Sequence, residues 1–179
     1  MKNNLKFHLD GARLFNALVL KQEKPKQYGE NFDSISICLS KGLGTPIGSL
    51  LLGKSSFIKK ARRVRKAFGG GMRQAGYLAA AGIYALENNI SRLADDHKHA
   101  LQIGEALLKK KFISNLIEPE TNILVFEILQ PYTPISFIEQ LAKHNVLAFA
   151  ISPTQVRMVT HLDITEEMVS KLLSIIDKM

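Results

Sequence analysis

Alternating apolar and polar positions predict strands in the first third of the chain. Residues 5–9 alternate leucine and phenylalanine with lysine and histidine, and residues 33–39 alternate isoleucine and leucine with two serines and a cysteine. Between them the pattern indicates a short helix after Gly11 and a surface loop at 21–26, and a further apolar run at 47–52 predicts a third strand. Two strands joined through a helix are typical of a parallel pair within a larger sheet. We therefore predict a βαβ-like unit whose other neighbouring strands do not come from this chain.

Helical periodicity dominates the middle of the chain. A helix is predicted over residues 55–68, followed by three consecutive glycines at 69–71. Beyond them, small and apolar residues recur at helical spacing, with a break at 88–89 and a continuation to residue 111. The small residues of this stripe would let a neighbouring element approach closely.

The chain beyond residue 111 changes character and predicts a compact α+β unit. Asp163 is predicted to cap the final helix, with Glu166 three residues further on in a capping-box-like arrangement. The elements before it are, in order, a strand, a helix and two short strands at 123–129, 134–144, 146–149 and 156–160.

The composition of the 179 residues is that of a folded protein, with 46% apolar and 22% charged residues. No apolar run is long enough for a membrane helix, and the first residues lack the apolar stretch of a secretion signal. Cys38 is the single cysteine, and no Cys/His cluster has zinc-ligand spacing. These features predict a reducing, cytoplasmic setting and no metal site.

The positive charge is concentrated in one segment. The formal net charge is +8, and eight lysines and arginines lie between Lys54 and Arg73 with no acidic residue among them. The remaining sixteen basic residues balance the sixteen acidic ones. Such a segment can bind nucleic acid, form a subunit contact, hold a small anionic cofactor or be a solvated helix face.

Three side chains near predicted strand ends are candidates for chemistry. Asp10 follows the first strand, where open α/β sheets present ligand-binding groups, although a carboxylate there also caps a following helix. Arg13 would be its structural partner or an anion ligand. Lys41 lies in a glycine-rich turn after the second strand, which suits an amine held still for imine formation with an aldehyde cofactor. An ordinary loop lysine fits the same pattern.

Four separated segments carry a family resemblance: HLDGARLFNA at 8–17, SICLSKGLGTPIGS at 36–49, GGGMRQAGYLAAAGIYAL at 69–86 and VRMVTHLD at 156–163. In this order they resemble the low-specificity L-threonine aldolases, which are pyridoxal-phosphate enzymes of the aspartate-aminotransferase-like fold, fold type I. The resemblance implies an α/β fold. Residues 1–111 would be the C-terminal part of the cofactor-binding large domain with its connecting helices, and residues 112–179 a small α+β C-terminal domain.

The resemblance also implies roles for single residues. Lys41 matches the lysine that forms a Schiff base with the cofactor, and Asp10 matches the aspartate that keeps the pyridine nitrogen protonated. Arg13 matches an arginine beside the cofactor ring that reaches its phenolic oxygen or the substrate carboxylate. Arg157 matches the arginine that grips the substrate α-carboxylate, a task that suits the two parallel donors of a guanidinium.

Lys66 and Arg73 flank the triple glycine and resemble basic residues near the cofactor phosphate or the opening of a neighbouring subunit's site. In the family, the chain before the HLDGAR motif supplies part of the phosphate cradle and a histidine that stacks on the cofactor. Met1 is therefore interpreted as the start of a C-terminal half. The implied partners are an amino-acid substrate and either further copies of this chain or a complementing N-terminal half, while nucleic acid is disfavoured.

The implied reaction is retro-aldol cleavage of L-threonine or L-allo-threonine to glycine and acetaldehyde, incomplete in this chain alone. Two other functions stay open at this point. One is a different β-eliminating lyase, which would release ammonia and an oxoacid, and the other is a non-catalytic fragment with a scaffold or assembly role.

Overall fold

The computed structural model describes residues 5–179, which form two compact units, one up to Arg92 and one from Leu93 onward. The interpretation of Met1 as the start of a half-fold lies outside these residues. No helix within 5–179 combines the length and the apolar character that a membrane crossing requires.

The first unit contains a sheet of three strands in the order β1-β2-β3, formed by His8–Gly11, Ser34–Cys38 and Ser49–Gly53. The predicted parallel pairing of β1 with β2 is confirmed, and β3 runs antiparallel to β2. β1 begins three residues later than predicted, because the Asp33 carboxylate accepts the Phe7 N–H at 2.9 Å just before the two strands pair. In the resulting register Asp10 lies opposite Ser36.

The helices of the first unit are α1 (Leu14–Lys21), α2 (Pro25–Asn31), α3 (Ser55–Ala67) and α4 (Gly76–Asn88). Leu14 and Leu18 of α1 form a buried cluster with Ile35 and Ile37 of β2, and Leu9 of β1 packs against it. Because alternate residues of a strand point to opposite faces, this cluster defines the covered face of the sheet. The opposite face carries the polar positions of β1 and β2.

The predicted surface loop at 21–26 is wrong in its last residues, where α2 begins. Pro25 occupies the first turn of α2, a position whose N–H has no partner within a helix in any case. The Gln27 side chain accepts the Lys24 N–H at 2.9 Å and so satisfies a second backbone donor at the helix start. These two residues stabilise a helix in a segment whose composition is typical of a loop.

The second unit contains an antiparallel sheet in the order β4-β5-β7-β6. Its elements in chain order are α5 (Leu93–Leu108), β4 (Ile113–Ile117), β5 (Ile123–Ile128), α6 (Pro134–Ala142), β6 (Phe149–Ala150), β7 (Gln155–Val159) and α7 (Glu166–Asp177). The predicted α+β character is therefore observed, with β4 as an additional strand and with β6 at Phe149–Ala150 instead of the predicted 146–149.

The helix α5 belongs to the second unit. Its buried residues Ala100, Ile103 and Leu107 form one cluster with Leu124 and Phe126 of β5. We predicted a division after residue 111, whereas the compact units divide before α5, since the apolar face of this helix helps to build the second core.

Thr165, and not Asp163, caps α7. The Thr165 hydroxyl accepts the Met168 N–H at 3.3 Å, whereas the Asp163 N–H donates to Nδ1 of His161. The helix starts two residues later than an Asp163 cap would require, because Ile164 is held by a backbone hydrogen bond to His161. The prediction of the cap was wrong, although the helix itself is confirmed.

The first turn of α7 is tied to α5 by Glu166, which makes the stability of this unit dependent on pH. Nε2 of His99 lies 3.1 Å from the Glu166 carboxylate and the Lys98 ammonium lies 3.3 Å from it. The hydrogen bond from His99, followed by that from Lys98, lowers the pKa of Glu166 below its ordinary value of 4.5. A carboxyl group with a lower pKa in the folded state stabilises it above the ordinary value and loses this contribution as the pH falls through the lowered one.

We therefore expect Glu166→Gln to reduce the free energy of unfolding at neutral pH and to flatten its fall below about pH 4.5, because an amide does not ionise. Urea titrations of the full chain across this pH range measure both effects. Glu105→Gln, at an exposed position of α5, is the matched control and should keep the acid dependence of the unsubstituted protein. If the free energy of unfolding of Glu166→Gln fell with decreasing pH as steeply as that of the unsubstituted protein, ionisation of Glu166 would not be the cause of the acid dependence.

Candidate active site

Asp10 lies on the uncovered face of the first sheet. Its neighbour in the strand, Leu9, points to the covered face, and Asp10 is exposed opposite the half-buried Ser36. One carboxylate oxygen accepts the Ala12 N–H at 3.2 Å, which holds the side chain at the end of β1. The carboxylate is thus available to a ligand that lies on this face.

Lys41 follows β2 by three residues, in a turn that is fixed from both sides. The side chains of Leu39 and Leu43 are buried, whereas Lys41 between them is exposed. The Lys41 carbonyl accepts the Gly44 N–H at 2.8 Å, and the Leu39 N–H donates to the Gly48 carbonyl at 2.9 Å. The amine therefore extends from a backbone whose position is well defined.

The parallel pairing brings Asp10 and Lys41 to the same edge of one sheet. The carboxyl ends of parallel strands lie at a common edge, and Asp10 is in the last part of β1 while Lys41 follows β2. Arg13 lies at this edge as well, because it is the residue that precedes α1, and its side chain is half-buried. The topology of the first unit therefore places Asp10, Arg13 and Lys41 at the same end of the sheet.

Gly69, Gly70 and Gly71 terminate α3, and Gly71 lies beside the side chain of Lys66. Gly69 has a φ of +85°, its N–H donates to the Lys66 carbonyl at 3.1 Å, and the Gly70 N–H donates to the Arg65 carbonyl at 2.8 Å. These bonds form a Schellman motif, which terminates a helix with a left-handed residue. A Cβ on Gly71 would lie 2.8 Å from Nζ of Lys66, so a larger residue at this position would displace the end of the Lys66 side chain.

Arg73 is exposed two residues beyond this loop, and Arg157 lies in the second unit. Arg157 is a half-buried residue of β7, opposite Val125 of β5 and Phe149 of β6. Its strand neighbours are buried in the core, so its guanidinium lies on the face of the sheet away from that core. Arg157 belongs to the second compact unit, whereas Asp10, Arg13 and Lys41 belong to the first.

Asn89 supports the lysine turn, a role that the sequence did not indicate. Its side-chain amide donates to the Leu43 carbonyl at 2.8 Å and ties the end of α4 to the turn that carries Lys41. In α4 the predicted close approach of a neighbour is confirmed at Gly82, where a Cβ would lie 3.1 Å from Leu39. The only signal for Asn89 in the sequence was its position at a helix break.

Comparison with known proteins identifies the family. The beta-eliminating lyase family matches residues 1–129, so the chain belongs to this family. The low-specificity L-threonine aldolase of Escherichia coli strain K12 is 46% identical over 171 residues, which are 96% of this chain and 50% of that protein. The resemblance to the low-specificity L-threonine aldolases is thereby confirmed, and the chain spans about half the length of the curated relatives it matches.

Solved structures confirm the fold. A protein from Exiguobacterium that carries the name aromatic amino acid beta-eliminating lyase/threonine aldolase matches with a TM-score of 0.81 at 21% identity, over 99% of this chain and 53% of that one. Histidinol-phosphate aminotransferase from Clostridium acetobutylicum matches with a TM-score of 0.67 at 14% identity, over 99% of this chain and 55% of that one. The α/β fold is that of part of an aspartate-aminotransferase-like large domain followed by a small α+β domain, as predicted.

Proposed function

We propose that this chain contributes the lysine-bearing part of a pyridoxal-phosphate-dependent aldolase that cleaves L-threonine and L-allo-threonine to glycine and acetaldehyde. The observation that carries the proposal is the position of an amine, Lys41, and a carboxylate, Asp10, at the carboxyl ends of two parallel strands. The family membership and the low-specificity L-threonine aldolase relatives support the same reaction.

The residues present fit this cofactor by their chemistry. An aldehyde needs an amine, for which Lys41 is available; a pyridine nitrogen needs an anion to stay protonated, for which Asp10 is exposed on the open sheet face. A phosphate needs cations, and Lys66 and Arg73 stand in a segment without acidic residues. Gly71 leaves room for the Lys66 side chain at this loop.

Pyridoxal phosphate, when bound, supplies a protonated ring that accepts the electron pair released at the substrate α-carbon. With the cofactor bound, Asp10 would hold the proton on the ring nitrogen, and the Lys41 amine would hold the aldehyde and carry a proton at the substrate α-carbon. The family resemblance implies that Arg157 would bind a substrate α-carboxylate through two parallel N–H donors, and that Arg13 would bind the phenolic oxygen or a substrate carboxylate. Fixing the carboxylate plane orients the bond to be broken.

The bonds broken and the protons transferred in the two reactions determine which products the assay should detect. The Cα–Cβ bond breaks, the β-hydroxyl oxygen loses its proton as the carbonyl of acetaldehyde forms, and the α-carbon gains a proton to give glycine. A water or a group from outside this chain takes the hydroxyl proton. A β-elimination would instead break the bond from Cβ to its substituent and end in ammonia and an oxoacid.

We expect the full chain with pyridoxal phosphate, supplied with the unmatched part of the E. coli relative, to produce equal amounts of acetaldehyde and glycine from L-allo-threonine. Product analysis by chromatography measures both. The control substrate is an amino acid that has a β-leaving group and no β-hydroxyl, which should give no oxoacid above background. Formation of oxoacid and ammonia from the control substrate would indicate a β-eliminating lyase. The absence of product from both substrates would favour a non-catalytic role.

A further inference from the structure

The second unit contains an open cavity of about 490 Å³ whose polar lining is basic or neutral. Six of its lining side chains are hydrogen-bonding groups, namely Tyr132, Gln140, His144, Lys171, Ser174 and Lys178. The others, Ile175 and Met179, are apolar, so no carboxylate side chain is among the described residues that line the cavity. A cavity of this size holds a small organic molecule. None of its residues has a part in the proposed function.

One wall of the cavity is a row of three residues on α7 and at its C-terminal cap. Lys171, Ser174 and Lys178 are three and four positions apart, a spacing that places them on one face of a helix. All three are exposed, whereas Leu172 and Ile176 are buried in the core of the unit. The packing of α7 against this core therefore leaves both ammonium groups at the surface, along the same wall.

The other wall comes from α6 and the segments next to it. The Tyr132 ring lies edge-on to Phe112, with 4.7 Å between the ring centres, which holds this residue in place. The side-chain carbonyl of Gln140 accepts a hydrogen bond from the Lys143 ammonium at 3.3 Å, so the side-chain N–H groups of Gln140 remain as donors. His144 is exposed two residues after α6. This wall thus presents hydroxyl, amide and imidazole groups, all of which can donate to an anion.

These polar groups lack partners within the described part of the chain. Five of the six side chains, all except Gln140, form no hydrogen bond or ion pair with any other described residue. Other lysines of the same unit do have partners: the Lys98 ammonium pairs with Glu166, and the Lys110 ammonium donates to the Asp177 carbonyl at 2.8 Å. Positive groups around one cavity repel each other, whereas each attracts an anion placed between them. The cavity is therefore electrostatically complementary to an anionic ligand.

We propose that this cavity binds a small organic molecule with two phosphate groups. Lysine binds phosphate as a compact point charge, whereas paired recognition of a planar carboxylate favours the fork of arginine. The described residues that line the cavity include two lysines and no arginine. Lys171 and Lys178 are seven residues apart, which is about 10 Å along a helix, so each ammonium can meet its own phosphate. The Ser174 hydroxyl between them, with the Tyr132 and His144 donors, would bind the remaining oxygens.

Fructose 1,6-bisphosphate is the probe, and calorimetric titration of the full chain at neutral pH, without pyridoxal phosphate, gives its Kd. The cavity variant, Lys171→Gln/Lys178→Gln, removes both ammonium groups. The α3 variant, Lys59→Gln/Lys60→Gln, is the matched control, because it removes the same charge from two exposed lysines in the basic segment of the first unit. Inorganic phosphate is the control ligand, since it is a single anionic group.

We expect one-to-one binding of the bisphosphate, with a Kd lower than that of inorganic phosphate by about tenfold or more, because a second charged group adds its own hydrogen bonds. The cavity variant should raise the Kd of the bisphosphate by about tenfold or more for the same reason. The α3 variant should change it by no more than about twofold, since salt screens distant surface charges. In spectra of the backbone amides, the largest chemical-shift changes on addition of the probe should lie at Tyr132, His144 and Ser174.

No saturable binding by the unsubstituted chain, an unchanged Kd in the cavity variant, or a loss of binding in the α3 variant alone would each overturn the proposal. Equal Kd values for the bisphosphate and for inorganic phosphate would overturn the requirement for two phosphate groups. If the cavity variant failed to fold, the chemical shifts of the unsubstituted chain would decide, because changes confined to other residues would contradict the site. Since the assay contains no cofactor, failure of the proposed reaction would leave these outcomes unaffected.

Discussion

Lys41→Arg is expected to abolish the covalent capture of pyridoxal phosphate by the full chain. Arginine keeps the positive charge and nearly the length of lysine, but its guanidinium stays protonated and does not bond to an aldehyde carbon. The turn around position 41 is held by backbone hydrogen bonds and by buried leucines, so the substitution should leave the fold intact. We therefore expect that Lys41→Arg no longer forms an imine with pyridoxal phosphate at position 41, although it keeps the fold of the unsubstituted chain.

Borohydride reduction of the mixture, followed by digestion and peptide mass mapping, shows which amine has captured the aldehyde. The experiment is done with and without the unmatched part of the E. coli relative, so that a site that needs both parts is detected. Lys109→Arg, at an exposed position after α5, is the control and should leave capture at Lys41 unchanged. Capture that persists in Lys41→Arg at the level of the unsubstituted chain would remove Lys41 from the site.

The sequence was most informative where one pattern extended over a whole element. The alternation at residues 33–39 predicted β2, and the helical spacing of small and apolar residues predicted α4 and α5. β4 was missed because Asn115 adopts a φ of +44° and the pairing register shifts between Ser114 and Ile117, which interrupts the alternation. A bulge of this kind depends on the partner strand and has no signature within five residues of sequence.

In the candidate site too, the features that follow from a local sequence pattern were predicted, whereas contacts between residues far apart in the chain were not. The sequence placed Asp10 and Lys41 just after two predicted strands, and the parallel pairing that it also predicted puts both at the same end of the sheet. The support of the lysine turn by Asn89 joins residues 46 positions apart and depends on the packing of α4. The Schellman motif that ends α3, with Gly69 in the left-handed region, is permitted but not specified by three consecutive glycines.

The stability of the protein is distributed unequally between its two units. The cluster around β5 and β7 in the second unit contains many fully buried aliphatic and aromatic residues, whereas the buried cluster of the first unit consists of Leu14, Leu18, Ile35 and Ile37. Burial of apolar area is the main favourable contribution to folding. The second unit should therefore keep its fold independently of the first.

Phe137→Ala should produce the largest loss of stability in the second unit. Phe137 has no exposed surface, and its ring centre lies 5.9 Å from that of Phe126, 6.2 Å from that of Phe112 and 6.5 Å from that of Tyr132. Removal of a buried phenylalanine ring leaves a cavity and lowers the free energy of unfolding by about 3 to 5 kcal/mol. Hydrogen exchange of the full chain in increasing urea, read at peptides from Leu93 onward, measures this value for the second unit alone.

Ile135→Ala is the matched control on the same helix. Ile135 is 67% exposed, so its replacement should change the free energy of unfolding by no more than about 0.5 kcal/mol. Protection in the first unit should be the same in both variants, since Phe137 belongs to the core of the second. If Phe137→Ala reduced protection of β1 and β2 as much as that of β5, the two units would unfold as one cooperative body, and the independent stability of the second unit would be refuted.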